Sequence, residues 1–369
     1  MARISYLTRI EFGDGEIARL PEFLAELGVK RPLIATDAGL VKTGLVERVT
    51  EGLGPHVVYD GTPANPTEAA AIEAYELYRS ENCDGIVGLG GGSPIDLAKA
   101  VRVLTGHPAP LGQYAAVNGG VARITDDMAP MIAIPTTAGT GSEVGRAAVI
   151  ITEDGRKLGI LSPFMLPDIA LCDPELTHGL PAGLTAATGM DALTHCLETY
   201  MASAYNPPAD GIALHGLGLA LKSLEKAVSD GSDREARRDM MAAALEGAMA
   251  FQKGLGAVHA LTHPLGAIRA LNLHHGTLNA VLLPEVLRFN RPVIGEKWDV
   301  MAGLMGDAPD RYVEALNRRI DMPSGLKAMG GTDAMLDEVS GAALLDHCHA
   351  TNPRQASQSD YLDILTKSA

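Results

Sequence analysis

The chain is short of positive charge: 30 lysines and arginines stand against 45 aspartates and glutamates, for a net charge of −15. That deficit argues against nucleic acid or an anionic membrane surface as a partner. Cysteine is also scarce. Cys83, Cys172, Cys196 and Cys348 are scattered without a CxxC pair. This excludes a disulfide framework and reads as reduced core cysteines of a cytoplasmic protein. No apolar stretch is long and unbroken enough to span a bilayer, and no basic segment followed by an apolar run marks a signal peptide. Aromatic residues make up 4% and give no pointer to a ligand. There is no internal repeat and no low-complexity tract.

What is present describes a well-packed globular protein: 369 residues, 46% hydrophobic and 20% charged. That length makes two domains the expectation. Residues 1–12 read as an extended segment, turning at Phe12–Gly15, and Gly15–Gly28 carries helical apolar spacing. Pro32–Thr36, His56–Tyr59, Asp84–Leu89, Met131–Ile134 and Ile169–Pro174 read as short strands. Helices are expected at 39–53 and from Asn65, with Thr67 as its cap. A loop-rich excursion fills 106–129, and Ala148–Thr152 with Lys157–Leu161 look like a hairpin. Alternating strands and helices imply βαβ units and a mainly parallel sheet. Beyond Pro181 strand signals vanish, and long amphipathic patterns cover 182–203, 208–229, 233–252 and 275–290. The expected organisation is α/β plus all-α: a Rossmann-like domain over residues 1–181 and a helical domain over 182–369.

Two strands end in small-residue loops. Gly88–Ser93 leads into a helix starting at Pro94, and Pro135–Glu143 follows the fourth strand. Glycines let backbone approach a phosphate, and a helix N-terminus supplies N–H donors. Many ligand-free turns are also glycine-rich. Neither G-x-G-x-x-G with its distant acid nor a Walker A loop is present. Asp37, directly after the first buried strand, could accept from an adenosine ribose 2′-hydroxyl or simply cap a helix; the two readings weigh equally.

Asp191 and His195 stand four apart and would share one helix face. Four of the eleven histidines, His259, His263, His274 and His275, lie between 259 and 275 in an Ala/Leu/Gly-rich stretch. Uncompensated polar groups in such a stretch would be costly. A carboxylate with imidazoles suits a borderline divalent metal such as Fe(II) or Zn(II). A D-x-x-x-H pair alone is more often a structural feature.

Nearly end to end, the chain resembles the iron-containing (group III) alcohol dehydrogenases, whose wider superfamily includes glycerol dehydrogenase and dehydroquinate synthase. The resemblance rests on Phe12–Gly15, Gly90–Asp96, Pro135–Glu143, Leu166–Asp168, Asp173–Leu176 and Ala187–His195, then Val258-His259, His263–Gly266, His275-Gly276 and Asn352–Arg354. It implies a dinucleotide-binding domain, a dehydroquinate synthase-like helical domain and a metal in the cleft between them. It further implies that Asp191, His195, His259 and His275 hold the metal, with His263 beside it as a catalytic or proton-relay residue. Gly91, Gly92 and Ser93 would hold the pyrophosphate of NAD, with Thr136 and Thr137 also at the cofactor. Asp37 would face the ribose, Asn65 would lie near the adenosine half, and Lys157 carries over from the hairpin. A homodimer is the family expectation.

Two departures affect this picture. Members commonly have ten residues from the relay histidine to the Pro-His-Gly histidine; here His263 to His275 spans twelve, and Leu273-His-His-Gly replaces the motif. The Phe251–His259 stretch is also one residue shorter than usual. His274 therefore competes with His275 as a ligand. His275 is favoured because Gly276–Ala280 keeps the Gly-x-x-Asn-Ala frame. The implied activity is metal-assisted hydride transfer between NAD(H) and a small alcohol or aldehyde. The rivals are a hydroxyacid–oxoacid transhydrogenase and a dehydroquinate synthase-like lyase.

Overall fold

Short apolar runs bounded by glycine and proline can be buried on both faces only inside a parallel sheet covered by helices. The computed structural model, which describes residues 8–268, 271 and 273–369, shows this arrangement. The first seven residues of the expected N-terminal extended segment lie outside the described residues, as does Asn272 beside the second histidine patch. Backbone contacts divide the chain into two units. One runs through Thr137 and includes Gly141–Thr177; the other comprises His178–Ala369 with Ala138–Thr140.

In the first unit, β1 (Ile10–Phe12), α1 (Leu20–Glu26), β2 (Pro32–Ala35), α2 (Ala38–Lys42), α3 (Leu45–Thr50) and β3 (Val57–Tyr59) come first. They are followed by α4 (Glu68–Ser80), β4 (Gly85–Gly90), α5 (Gly92–Gly106), β5 (Met131–Pro135), the pair β6 (Ala147–Ile151) and β7 (Lys157–Leu161), and β8 (Ile169–Cys172). Six strands form one parallel sheet in the order β1-β8-β5-β4-β2-β3. Period-two alternation sends Ile34, Val87, Leu89, Ile132 and Ile134 to one face, against Leu20 and Phe23. Leu33, Ala35, Ile86, Met131 and Ala133 go to the other, against Ile95, Leu97 and Ala98 of α5. β6 and β7 form the expected antiparallel hairpin, with Val149 opposite Gly159. The 106–129 excursion folds as short 3-10 turns, whose Leu111 and Tyr114 pack with Ile150 and Ile160 of the hairpin.

Two expectations need correction. The single helix expected over 39–53 is two helices, because Gly44 adopts φ +74° between them, in the left-handed region that interrupts a helix. α5 starts at Gly92 rather than Pro94, with Gly91 as its N-cap and Pro94 within its first turn. The cap at Thr67 is present: its Oγ1 accepts from the Ala70 N–H at 3.2 Å.

The second unit is helical: α6 (Ala182–Met201), α7 (Pro207–Ser229), α8 (Arg234–Ala250), α9 (Ala257–Gly266) and α10 (His275–Ile294), then α11 (Glu296–Met305), α12 (Pro309–Arg319), α13 (Asp333–Ala343) and α14 (Gln358–Lys367). α6 packs against α7, α8 and α10 and is buried continuously from Thr185 to Met201. A helix buried around its whole circumference belongs at the centre of a bundle. No helix among the described residues is long and apolar enough to cross a membrane, and all four cysteines are buried and unpaired.

A buried ammonium fastens the hairpin to α5. Lys99 Nζ donates to the carbonyls of Ser142 (2.6 Å), Gly145 (2.6 Å) and Ala147 (2.9 Å). Burial pushes its pKa down to about 8 even with Asp96 nearby. Asp96 in turn accepts from the Ser142 hydroxyl at 2.6 Å and the Val149 N–H at 2.9 Å. Lys99→Met would strand these carbonyls and leave Asp96 without its cation. The expected loss is about 3–5 kcal/mol, a fall in Tm of roughly 6–20 °C in calorimetry at the usual sensitivity of domains this size. An unchanged Tm would show that Lys99 does not hold the hairpin.

Candidate active site

Two groups of predicted site residues take shape, one in each unit. In the first unit the parallel sheet places the C-terminal ends of β2, β4 and β5 along one edge. The strand order changes direction between β2 and β4, the position where open α/β sheets bind ligands. Gly90 ends β4 with φ +147°, and a Cβ there would come within 2.6 Å of Pro94 Cγ. Only glycine fits this turn. Gly91 and Gly92 then open α5, whose first-turn N–H groups have no side-chain cap. The Ser93 hydroxyl donates to the Ala64 carbonyl at 2.6 Å. The Thr136 N–H donates to the Gly90 carbonyl at 2.9 Å, and a Cβ on Gly91 would sit 3.3 Å from Thr137 Oγ1. Lys157 Nζ donates to Asn65 Oδ1 at 2.9 Å, beside the strand-loop segment that holds Ser93. Asp37 follows β2 and caps α2, its Oδ1 accepting from the Leu40 N–H at 2.9 Å. The capping role is therefore real and uses one of its two oxygens. The result is a cradle of backbone N–H groups, small side chains and one lysine, suited to a dinucleotide's phosphates.

In the second unit three imidazoles converge on one carboxylate oxygen. Asp191 Oδ1 lies 3.6 Å from His195 Nε2, 3.9 Å from His259 Nε2 and 3.6 Å from His275 Nε2. Asp191 and His195 share a face of α6, as their spacing requires. His259 comes from the first turn of α9, and His275 from the start of α10. Gly276 explains that last approach: a Cβ would fall 2.0 Å from the Ala187 carbonyl oxygen of α6. The structure turns His275 toward Asp191, whereas His274 is exposed at the N-cap of α10.

The donor set fits a divalent ion. Asp191 and His259 are almost fully buried, and His259 Nε2 has no hydrogen-bond partner. Burial, followed by the charge of His195, holds the His259 pKa well below its usual value, so the ring is neutral, as a ligand must be. Its Nδ1 contacts Glu198 Oε2 at 2.7 Å, which fixes the proton on Nδ1 and leaves Nε2 with a lone pair.

Three supporting residues escaped the sequence reading. Glu198 also accepts from the N–H groups of Val258 (2.6 Å), Gly256 (3.0 Å) and His259 (3.4 Å). Burial pushes its pKa up to about 7 against these donors. Its signal was available, since it lies seven residues after Asp191 on the same helix face. Asn279 Nδ2 donates to Asp191 Oδ1 at 2.7 Å from one turn after His275; the sequence reading used it only to set the frame. Asp346 had no local signal: its Oδ2 takes His263 Nδ1 at 2.9 Å across 83 residues. Burial opposes ionisation of Asp346, but the charges of His263 and His347 and the hydrogen bond hold its carboxyl well below the usual range. The His263 ring stacks parallel to that of His275, with centroids 5.7 Å apart.

The model of the iron-containing alcohol dehydrogenase family matches residues 8–174, and that of its C-terminal domain matches 185–369. The chain belongs to the iron-containing alcohol dehydrogenases. A 4-hydroxybutyrate dehydrogenase of Cupriavidus necator is 51% identical over 381 aligned positions, covering 100% of both chains. The crystal structure of a 1,3-propanediol oxidoreductase superposes with a TM-score of 0.95 at 34% identity, over 100% of both chains. A sulfoacetaldehyde reductase from Bifidobacterium kashiwanohense, solved in complex with NAD+, matches with a TM-score of 0.91 at 26% identity, over 100% of this chain and 99% of that one. This alcohol dehydrogenase is thus an oxidoreductase exchanging hydride between a nicotinamide dinucleotide and an alcohol or carbonyl compound; the lyase and transhydrogenase rivals are not favoured.

Two variants test the support around the imidazole cluster. Glu198→Gln removes the charge that orients His259 and should weaken metal retention roughly 10–100-fold. Gly276→Ala forces α10 away from α6 and should release metal by displacing His275. Metal content after graded chelator dialysis, with far-UV circular dichroism as a fold control, reads both. Wild-type retention in either variant would show that its residue does not shape the cluster.

Proposed function

We propose that this enzyme uses NAD(H) and Fe(II) to interconvert a short ω-hydroxy acid and its semialdehyde, with 4-hydroxybutyrate as the preferred alcohol. The observation that carries the chemistry is the convergence of three imidazole Nε2 atoms on Asp191 Oδ1. The substrate reading is supported by the 51% identity, over the full length of both chains, to an enzyme named for 4-hydroxybutyrate. Asp191, His195, His259 and His275 would hold the ion. When bound, it supplies Lewis-acid stabilisation of alkoxide character while the nicotinamide supplies the hydride chemistry.

The protein's residues do the rest. The first-turn N–H groups at Gly91, Gly92 and Ser93 bind pyrophosphate, with Thr136 and Thr137 alongside. Lys157 and Asn65 support the adenosine half, and the Asp37 carboxylate favours a ribose hydroxyl over a 2′-phosphate. His263 keeps Nδ1 on Asp346 and offers Nε2 to accept the alcohol proton or return it. The functional division is placed at Pro181, with 182–369 as the metal and substrate domain.

Kinetics with 4-hydroxybutyrate, 1,3-propanediol and ethanol should give the highest kcat/KM for the hydroxy acid; a diol preference would overturn the substrate reading. Asp191→Ala, His195→Ala, His259→Ala and His275→Ala should each lose metal and activity together. His263→Ala should keep its metal and lose on the order of 10²–10⁴ in kcat, whereas His274→Ala should keep metal with a mild defect. If His274→Ala is the metal-free variant, the ligand frame is shifted by the longer segment. Asp37→Gly should raise NADPH use relative to NADH; an unchanged ratio would leave Asp37 as a helix cap alone.

A further inference from the structure

We propose that His263, Asp346, His347 and Cys348 form a second cation site, selective for a thiophilic divalent ion such as Zn2+, through which excess metal restrains turnover. His263 lies on α9; the other three are consecutive in the turn after α13. His263 Nδ1 lies 2.9 Å from Asp346 Oδ2, His347 Nδ1 3.6 Å from Asp346 Oδ1, and His347 Nε2 3.4 Å from Cys348 Sγ. One donor atom from each of the four residues falls within 4.8 Å of every other. Tetrahedral zinc, with bonds of about 2.0–2.3 Å, spaces its donors roughly 3.3–3.8 Å apart. Small side-chain rotations therefore suffice to close the set. The rings of His263 and His347 are already near parallel, with centroids 5.6 Å apart.

The set differs in chemistry from the Asp191 cluster, which contains no sulfur. A thiolate with two imidazoles and one carboxylate selects zinc over magnesium, calcium or manganese. It also has an entry path: the His347 side chain is 53% exposed, whereas Cys348 is buried at the inner end. Binding forms one bond each to Cys348 Sγ, an Asp346 oxygen, His263 Nδ1 and a nitrogen of His347. The thiol proton leaves to solvent, and the Nδ1 proton of His263 passes to its Nε2. With Nε2 protonated, His263 no longer accepts a proton from an alcohol. This kinetic consequence rests on the role proposed for His263; the binding does not.

The test uses the intact enzyme carrying one equivalent of Fe(II), kept anaerobic and free of zinc, titrated with Co2+. Only a sulfur-containing site gives a thiolate-to-cobalt charge-transfer band in the near ultraviolet. The expected result is a band saturating at one Co2+ per chain, absent in Cys348→Ser and moved at least tenfold to higher Co2+ in His347→Ala. Excess Zn2+ should slow the wild type and do so less in His347→Ala. No band in the wild type, or a band unchanged in both variants, overturns the site and leaves the Cys348–His347 contact purely structural. A band without inhibition retains the site and overturns the catalytic role of His263. Asp191→Ala should leave the band intact, which separates this proposal from the ligand set proposed for the first ion.

Discussion

The helical unit depends on keeping Asp191 inside it. A carboxylate at 2% exposure, with His195 and His259 almost equally buried around it, is expensive unless every lone pair and proton has a destination. Asn279 supplies one donor to Asp191, and Glu198 takes one proton of His259. His259 Nε2 is left without a partner, 3.9 Å from Asp191 Oδ1. A divalent ion between Asp191 and His259 Nε2 would offset both at once, so binding it would also contribute to the stability of the fold.

The same constraint explains the packing of three helices. The first turn of α9 leaves N–H groups without intrahelical partners. Glu198 of α6 takes those of Val258 and His259, and Asn352 takes that of Ala257 at 3.0 Å. Asn352 is also tied to Asn290 of α10 by paired amide hydrogen bonds of 3.0 and 2.9 Å. The Asn352–Arg354 motif thus works as a distant cap for the helix carrying His259 and His263. Glu198 has two tasks, capping α9 and orienting His259, and both require it to remain buried on α6. In the first unit the logic is different: the cradle is built from backbone exposed by glycine and from α5's uncapped first turn, and the buried Lys99 secures the hairpin that carries Lys157.

Legibility in the sequence followed the range of each interaction. Strands buried on both faces show as short apolar runs, and the long helices show through their 3.6-residue periodicity. Asp191 with His195 is legible because spacing alone puts them on one face. His275 was favoured over His274 on the Gly276–Ala280 frame alone; the close approach of α10 to α6 that the missing Cβ of Gly276 allows was not legible. The break at Gly44 lay within a helical pattern, where one glycine is ordinarily tolerated. Glu198 shares a helix face with Asp191, but its task was not legible because its donors come from about sixty residues on. Asp346 could not be linked to His263 at all without the fold. Asp37 illustrates the limit in the other direction: the cap is visible in the structure, yet a second oxygen leaves both of its readings compatible with one conformation.

The two clusters of the helical unit stand close along the stack of His275, His263 and His347, so their different chemistry matters. A thiolate beside the proposed iron site would draw soft ions toward it. Burial forestalls this by raising the Cys348 thiol well above its ordinary value, with the Asp346 charge pushing in the same direction. The protonated thiol is a poor ligand. A carboxylate with neutral imidazoles suits a borderline ion such as Fe(II), which needs no thiol. An ion with higher affinity for sulfur can displace the thiol proton, and its binding at His263 Nδ1 then moves that nitrogen's proton to Nε2, which removes the lone pair proposed to accept a proton. Restraint by excess zinc follows from placing a neutral thiol one imidazole away from the proposed proton acceptor.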